Sequence, residues 1–343
     1  MTTARLRVLA LVHRHLIPPD VVPEGVDVVS APWRTEYDVV STLRAAGHDV
    51  QVLGVHDDLG EIRRLATEWR PHISFNLLEA FDDVTIFDQN VVSHLELLKL
   101  SYTGCNPRGL LLARDKALSK KLLAYHRIPV PDFDVFRIGR PIRRPKRLAF
   151  PLMVKSLTQE ASVGISQASV VDSDEKLRER VTFIHESICT AAIVERYIEG
   201  RELYVGIMGN QVLQALPVWE LFFTSMPEGA RRIATGRVKW SVKYQKKYGI
   251  DSGAARDLPD PVIERIHHVC KRAYRALELS GYARIDLRMD NAGNVWVIEA
   301  NPNPQIARGE DFSASAASAG LGYEAVLQRI LNLGLRWQPE SVA

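Results

Sequence analysis

Residues 281–304, GYARIDLRMDNAGNVWVIEANPNP, set two carboxylates, Asp286 and Glu299, inside apolar runs that otherwise read as buried strands. Between the runs, Ala292-Gly293 reads as a two-residue hairpin loop, which brings Asp286 directly opposite Glu299. Side chains alternate along a strand, so Arg284 shares a face with Asp286 and Asn301 shares one with Glu299. Carboxylates facing each other across a strand pair have Cβ atoms roughly 5 Å apart and repel, which costs stability unless a cation lies between them. Two carboxylates and an amide oxygen suit a hard divalent ion such as Mg²⁺, which keeps waters and takes further ligands from phosphates. The structural alternative has Asp286 bound to Arg284 or Arg288, with Glu299 and Asn301 capping a strand end before Pro302.

The elements that would position these groups follow from the pattern along the chain. Residues 5–107 alternate strand and helix signals: RVLALV, a helix near 36–46 ending at Gly47, DVQVLGV, a helix near 58–69 stopped by Pro71, HISFNLL, and a helix near 87–99. Such alternation predicts a parallel sheet wrapped by helices. Helix 115–126 opens at Asp115, a good N-cap, and is ended by the IPVP turn. The basic stretch RIGRPIRRPKR, 137–147, reads as a solvated connector. Beyond it come FPLMVKS, a loop TQEASVG (158–164), a helix near 173–187, the strand AAIVERY and a hairpin signal at Gly209-Asn210. Residues 217–258 read as irregular, and a helix over about 260–279, the acidic hairpin and a helix near 322–333 follow. Lys155 sits inside the apolar PLMVK, where an ammonium is costly to bury without an anion.

A length of 343 residues and a 46% hydrophobic share allow two or three packed units. The formal charge of +3, from 44 basic and 41 acidic side chains, points to neither a nucleic acid nor a membrane and leaves small molecules as partners. Cys105, Cys189 and Cys270 lie far apart without CxxC or Cys/His spacing, which argues against disulfides or a zinc motif and fits a reducing cytoplasm. The N-terminal apolar run is too short for a signal peptide or a membrane span and reads as a first strand.

VERYIEGREL (194–203), GYARIDLRMD (281–290) and VWVIEANPNP (295–304), in this order, resemble the nucleotide half of the ATP-grasp superfamily, and D-alanine-D-alanine ligases above all. DQNVVSHLELLKLSYTG (88–104) and ARDKALSKKLL (113–123) extend the resemblance upstream. It implies a three-domain α/β ATP-grasp fold, with an N-terminal α/β domain over 1–109, a central subdomain over 110–192 and a C-terminal subdomain with the metal site over 193–343. It also implies ATP and two Mg²⁺ ions, or Mn²⁺ in place of Mg²⁺, with the metal held by Asp286, Glu299 and Asn301. By the same resemblance Lys116 and Lys155 contact ATP, Glu195, Arg196, Tyr197 and Ile198 form the hinge around adenine, and Glu202 holds the ribose. Ser162 and Gly164 belong to the flap over the triphosphate, Lys243 reaches the transferred phosphate, Tyr244 lines the acceptor site and Arg284 steadies a tetrahedral intermediate. The implied activity is ATP-dependent joining of a carboxylate to an amine through an acyl phosphate, on small-molecule substrates, by a homodimer. A phosphotransferase on the same fold and a nucleotide-binding protein without turnover are the alternatives.

The chain departs from those ligases where they hold their alanines. The turn HRHLIPPDVVPEGVDVVSAPWRTEYD lacks their glutamate, Ala161 stands where they have a serine, and PNPQIARGEDFSAS replaces their threonine, proline, glycine and serine run. Nucleotide contacts are kept and substrate contacts changed, which implies the same chemistry on different substrates. His13, His15, Glu36, Tyr37, Arg308, Glu310 and Asp311 are the candidates for recognising them, Arg308 first because guanidinium suits a carboxylate.

Overall fold

In the computed structural model, which describes residues 5–159 and 162–339, the N-terminal alternation folds as expected. Its elements are β1 (Arg7–His13), α1 (Arg34–Ala45), β2 (Asp49–Val55), α2 (Gly60–Glu68), β3 (Ile73–Asn76) and α3 (Asp88–Leu97). The strands form a parallel sheet ordered β2-β1-β3. Two helices follow, α4 (Pro107–Arg114) and α5 (Lys116–Tyr125). Asp115 caps α5 as its residue type predicts, its carboxylate accepting from the backbone N–H groups of Ala117 and Leu118 at 2.9 Å.

The next unit comprises β4 (Phe133–Phe136), β5 (Leu152–Ser156), β6 (Val170–Val171), α6 (Asp174–Ser187) and β7 (Ala192–Arg196). Its strands pair in the order β4-β7-β5-β6, and α6 lays Leu177, Val181 and Ile184 against Leu152, Val154 and Val194 as a separate core. The last unit runs β8 (Arg201–Met208), β9 (Gln214–Ala215), β10 (Trp219–Phe223), α7 (Gly236–Trp240), α8 (Val242–Tyr248), β11 (Ile250–Ala254), α9 (Asp260–Ala276), β12 (Tyr282–Met289), β13 (Val295–Pro302), α10 (Asp311–Ser318) and α11 (Tyr323–Arg336). Its antiparallel sheet has the order β11-β10-β8-β12-β13, with β9 against β8. Cys270, Ala273 and Tyr274 of α9 fill its back against Val205, Ile285 and Val297.

Residues 217–258 are therefore not irregular. β10 and β11 pair with each other from Trp219↔Ala254 to Phe223↔Ile250, a long-range ladder that no local periodicity announces. The acidic hairpin differs too, because its turn spans Asp290 to Asn294 rather than Ala292-Gly293, with Asp290 Oδ1 accepting from the N–H groups of Ala292 and Asn294. Near the turn Met289 faces Val295 and Leu287 faces Val297, yet Asp286 still faces Glu299. Ile298 is the extra residue, a β-bulge that restores the expected pairing of the two acids.

The last helix belongs physically to the first sheet. Val8 and Ala10 of β1 pack with Val39 and Leu43 of α1 and with Val326, Leu327, Ile330 and Leu331 of α11. A second joint lies at Gly281, which has φ +70 and whose amide donates to Asn210 Oδ1 at 2.9 Å. Among the described residues no helix is long and apolar enough to cross a membrane. A Cβ at Gly281 would fall 2.4 Å from the carbonyl oxygen of Gly104. Gly281→Ala is expected to lose about 1–3 kcal/mol, read as a lowered melting temperature, and an unchanged melt would show the two backbones free to separate.

Candidate functional site

A cavity of about 650 Å³ lies between the four-stranded sheet and the face of β8, β12 and β13. Met153, Lys155, Glu195, Arg196, Tyr197 and Ile198 line one side, and Glu202, Asp286, Leu287, Arg288, Ile298 and Glu299 the other. Ser162, Ile233, Ala234 and Lys239 complete the wall. The mix of apolar walls with a few charged groups suits a small-molecule ligand.

Cations from separate parts of the chain surround the acids. Lys116 Nζ lies 2.9 Å from Glu299 Oε1 and donates to the carbonyl of Gln159. Arg284 grips Asp286 with two parallel bonds, Nε to Oδ1 at 2.7 Å and Nη2 to Oδ2 at 2.9 Å, and its guanidinium lies over the Tyr204 ring. Asp286 thus binds Arg284, as one reading of the hairpin expects, and also faces Glu299. Burial opposes ionisation of Glu299, but Lys116 and Lys155 hold its carboxyl down at about 2. Asp286 goes the other way, raised by burial, which the Arg284 fork only partly offsets, with Glu299 adding to the rise.

A second cluster lies beneath the first. Glu195, 2% exposed, faces Lys155 Nζ at 3.2 Å and Lys120 Nζ at 3.4 Å, and Lys120 also donates to the carbonyl of the bulged Ile298 at 2.8 Å. Burial would raise the Glu195 carboxyl, but the two ammoniums keep it below its ordinary value. Truncating one partner in such a cluster leaves a buried charge uncompensated, at a cost of about 3–5 kcal/mol. Lys120 was not foreseen from the sequence, where it reads as one more helix lysine. At the far end Arg288 donates to Glu202 Oε2, the Ile198 carbonyl and the Arg232 carbonyl at 2.8 to 3.0 Å, tying the chain after β7 to β12.

The donor set fits a hard cation. Two carboxylate groups and an amide are carried by adjacent strands, and Asp286 is held above its usual range by burial and partly by Glu299. A divalent ion would relieve that repulsion.

Other expected residues lie elsewhere. Lys243 and Tyr244 are on α8 outside the cavity, with the Tyr244 ring 4.6 Å from that of Tyr248, and Lys239 of α7 lines the wall instead. Gly164, at φ +70, accepts from Arg180 rather than lining the cavity, and Ala161 falls outside the described residues. Arg308 is already engaged: its N–H donates to Asp38, its guanidinium donates to Thr42 at 2.7 Å and lies over the Tyr323 ring. Glu310 accepts from Arg34 at 2.8 Å and Asp311 from Ser252 at 2.6 Å, so this segment braces the fold rather than lining a cavity.

A second cavity, about 1050 Å³, is lined by His13, Thr35, Glu36, Asn76, Glu79, Trp240, Tyr282 and Asn303, among others. His15 and Tyr37 do not line it; the Tyr37 ring packs on Trp33. Consecutive residues of α7 serve the two spaces, Lys239 the first and Trp240 the second. Glu36 is 5% exposed with Oε2 unpartnered, and burial raises its carboxyl to about 7. The folded chain therefore binds this proton more tightly than the unfolded chain, so the charge costs nothing below pH 4 and its full price above pH 7. Glu36→Gln is expected to stabilise the protein by about 3 kcal/mol at pH 8 and by nothing near pH 4, measured by denaturant unfolding at both; a gain independent of pH would contradict this.

Comparison with known proteins bears on the family. A family model described as D-ala D-ala ligase C-terminus matches residues 122–332. A D-alanine–D-alanine ligase of Bordetella petrii is 31% identical over 242 residues, 69% of this chain and 68% of its own. The Sinorhizobium fredii protein y4sG is 28% identical over 326 residues, 93% of this chain and 90% of its own. The crystal structure of a Bacillus anthracis D-alanine–D-alanine ligase complexed with ATP shares the fold, with a TM-score of 0.73 at 21% identity over 96% of this chain and 98% of that one. With residues 122–332 matched by that family model and a relative 31% identical over two thirds of its length, the chain belongs to the D-alanine–D-alanine ligase family.

Proposed function

We propose that the chain is an ATP-dependent carboxylate–amine ligase that activates its first substrate as an acyl phosphate and acts on substrates other than D-alanine. The observation that carries this reading is the pair Asp286 and Glu299, opposed across β12 and β13 in a cavity that Lys155 and Lys239 also line. Adenine fits the hinge at Glu195 to Ile198, the ribose lies toward Glu202, and the phosphates run toward Lys116, Lys155 and the acids. A bound Mg²⁺, held by Asp286, Glu299 and Asn301, would neutralise charge developing on the phosphates. Lys239 takes the role first assigned to Lys243, and Trp240 beside it marks where the acceptor enters from the second cavity.

The substrate carboxylate attacks the γ-phosphorus and ADP departs, with Lys239 compensating the charge in flight. The amine then attacks the acyl carbon, phosphate leaves, and an amide remains. Arg284, fixed by its fork on Asp286, is oriented to stabilise the oxyanion of the tetrahedral intermediate. Holding the reactants in line supplies about 7–11 kcal/mol of the barrier. His13 and Glu36, from the turn that departs from the family pattern, line the acceptor side, which supports a substrate other than D-alanine.

ADP and phosphate release in the presence of Mg²⁺ and paired carboxylates and amines tests the reading. Amide should form only with both substrates; a phosphorylated product that survives without amine would favour a phosphotransferase. Glu299→Gln should keep the fold and lose at least about a hundredfold in ADP formation, and a fully active variant removes Glu299 from the metal site. Lys239→Met should slow turnover while Lys243→Met leaves it unchanged, the reverse result restoring the original register.

A further inference from the structure

Outside the acids and their cations, the parallel sheet gathers a second set of ligating groups at the carboxyl ends of its strands. His13 ends β1, His56 follows β2, and Asp83 lies in the turn after β3. His13 Nε2 is 3.3 Å from Asp83 Oδ1, and His56 Nε2 is 3.2 Å from Asp83 Oδ2. One ligand atom from each residue lies within 4.8 Å of the others, the only such His, Cys, Asp or Glu group among the described residues. A tetrahedral ion with bonds of about 2.0–2.1 Å needs ligand atoms roughly 3.3 Å apart.

The backbone fixes these groups before any ion arrives. His13 pairs with Val55 in the ladder, and Asp82 donates to the His56 carbonyl at 2.7 Å, so all three segments are tied together. The imidazoles are largely shielded, at 18% and 11% side-chain exposure, while Asp83 at 74% is open to an incoming ion. His56 Nδ1 is buried without a hydrogen-bond partner, with Asp57 Oδ1 3.4 Å away. The His15 ring stands 5.3 Å from that of His13.

We propose that His13, His56 and Asp83 bind a divalent transition metal of the Zn²⁺ class at the rim of the second cavity, which His13 lines. Imidazole selects such an ion over Mg²⁺, so the site is chemically distinct from the acid pair. Three protein ligands leave one position open for a carboxylate, amine or thiolate in the cavity. His13 then recognises substrate through a metal rather than directly.

The test needs neither nucleotide nor turnover, so it stands apart from the ligase reading. The full chain, freed of metal by chelation and dialysis, is titrated with Co²⁺ and its visible absorption followed. A ligand-field band saturating at one equivalent and abolished by added Zn²⁺ is expected. His56→Ala and the milder Asp83→Asn, whose side chain is exposed, should each weaken Co²⁺ binding at least about tenfold, while Glu299→Gln leaves the band intact. Absence of the band, an unchanged Co²⁺ affinity in Asp83→Asn with the fold retained, or loss of the band in Glu299→Gln would each overturn the proposal.

Discussion

Two negative charges facing each other across neighbouring strands are the constraint on which the arrangement of the whole chain turns. Asp286 and Glu299 could not remain opposed in a largely buried place without compensation. The compensating cations come from widely separated elements: Lys116 from α5, Lys155 from β5, Lys239 from α7 and Arg284 from β12 itself. The acids therefore act as a point to which three parts of the chain are drawn. Electrostatics here does for the relative placement of sheets what apolar burial does within each of them.

The deeper cluster at Glu195 plays a complementary part. Lys120 bridges a carboxylate on β7 and a carbonyl on β13, linking the four-stranded sheet to the strand that bears Glu299. That carbonyl belongs to Ile298, the bulged residue, so one local irregularity both keeps the acids in register and supplies the acceptor that anchors α5. Buried ionic clusters contribute modestly to net stability compared with apolar packing, but they make alternative arrangements expensive.

How much of this was legible depended on how local each cause was. Asp286 opposite Glu299 followed from a two-residue loop that the structure replaces with a longer turn, and a spacing of two along the strand offered Arg284 and Arg288 alike as its partner. The bulge could not be read, since an extra residue and a longer turn cancel at the acids and leave the same pairing. Lys239 rather than Lys243 lines the cavity, and VKWSVKY spans two short helices broken at Ser241, so no single periodicity runs through it. Arg308 looked available for a substrate carboxylate, yet Asp38, Thr42 and Tyr323 claim it, partners 15 or more residues away that sequence spacing does not connect. The ladder between β10 and β11 escaped for the same reason.

The packing of α11 against β1 and α1 bears on how the chain is made. A ribosome delivers β1 and α1 well over two hundred residues before α11, so one apolar flank of that sheet stays bare until the later helix is made. The nascent chain must keep that flank from sticking to its neighbours until α11 emerges to cover it, which makes the docking of α11 the step that completes the parallel-sheet unit.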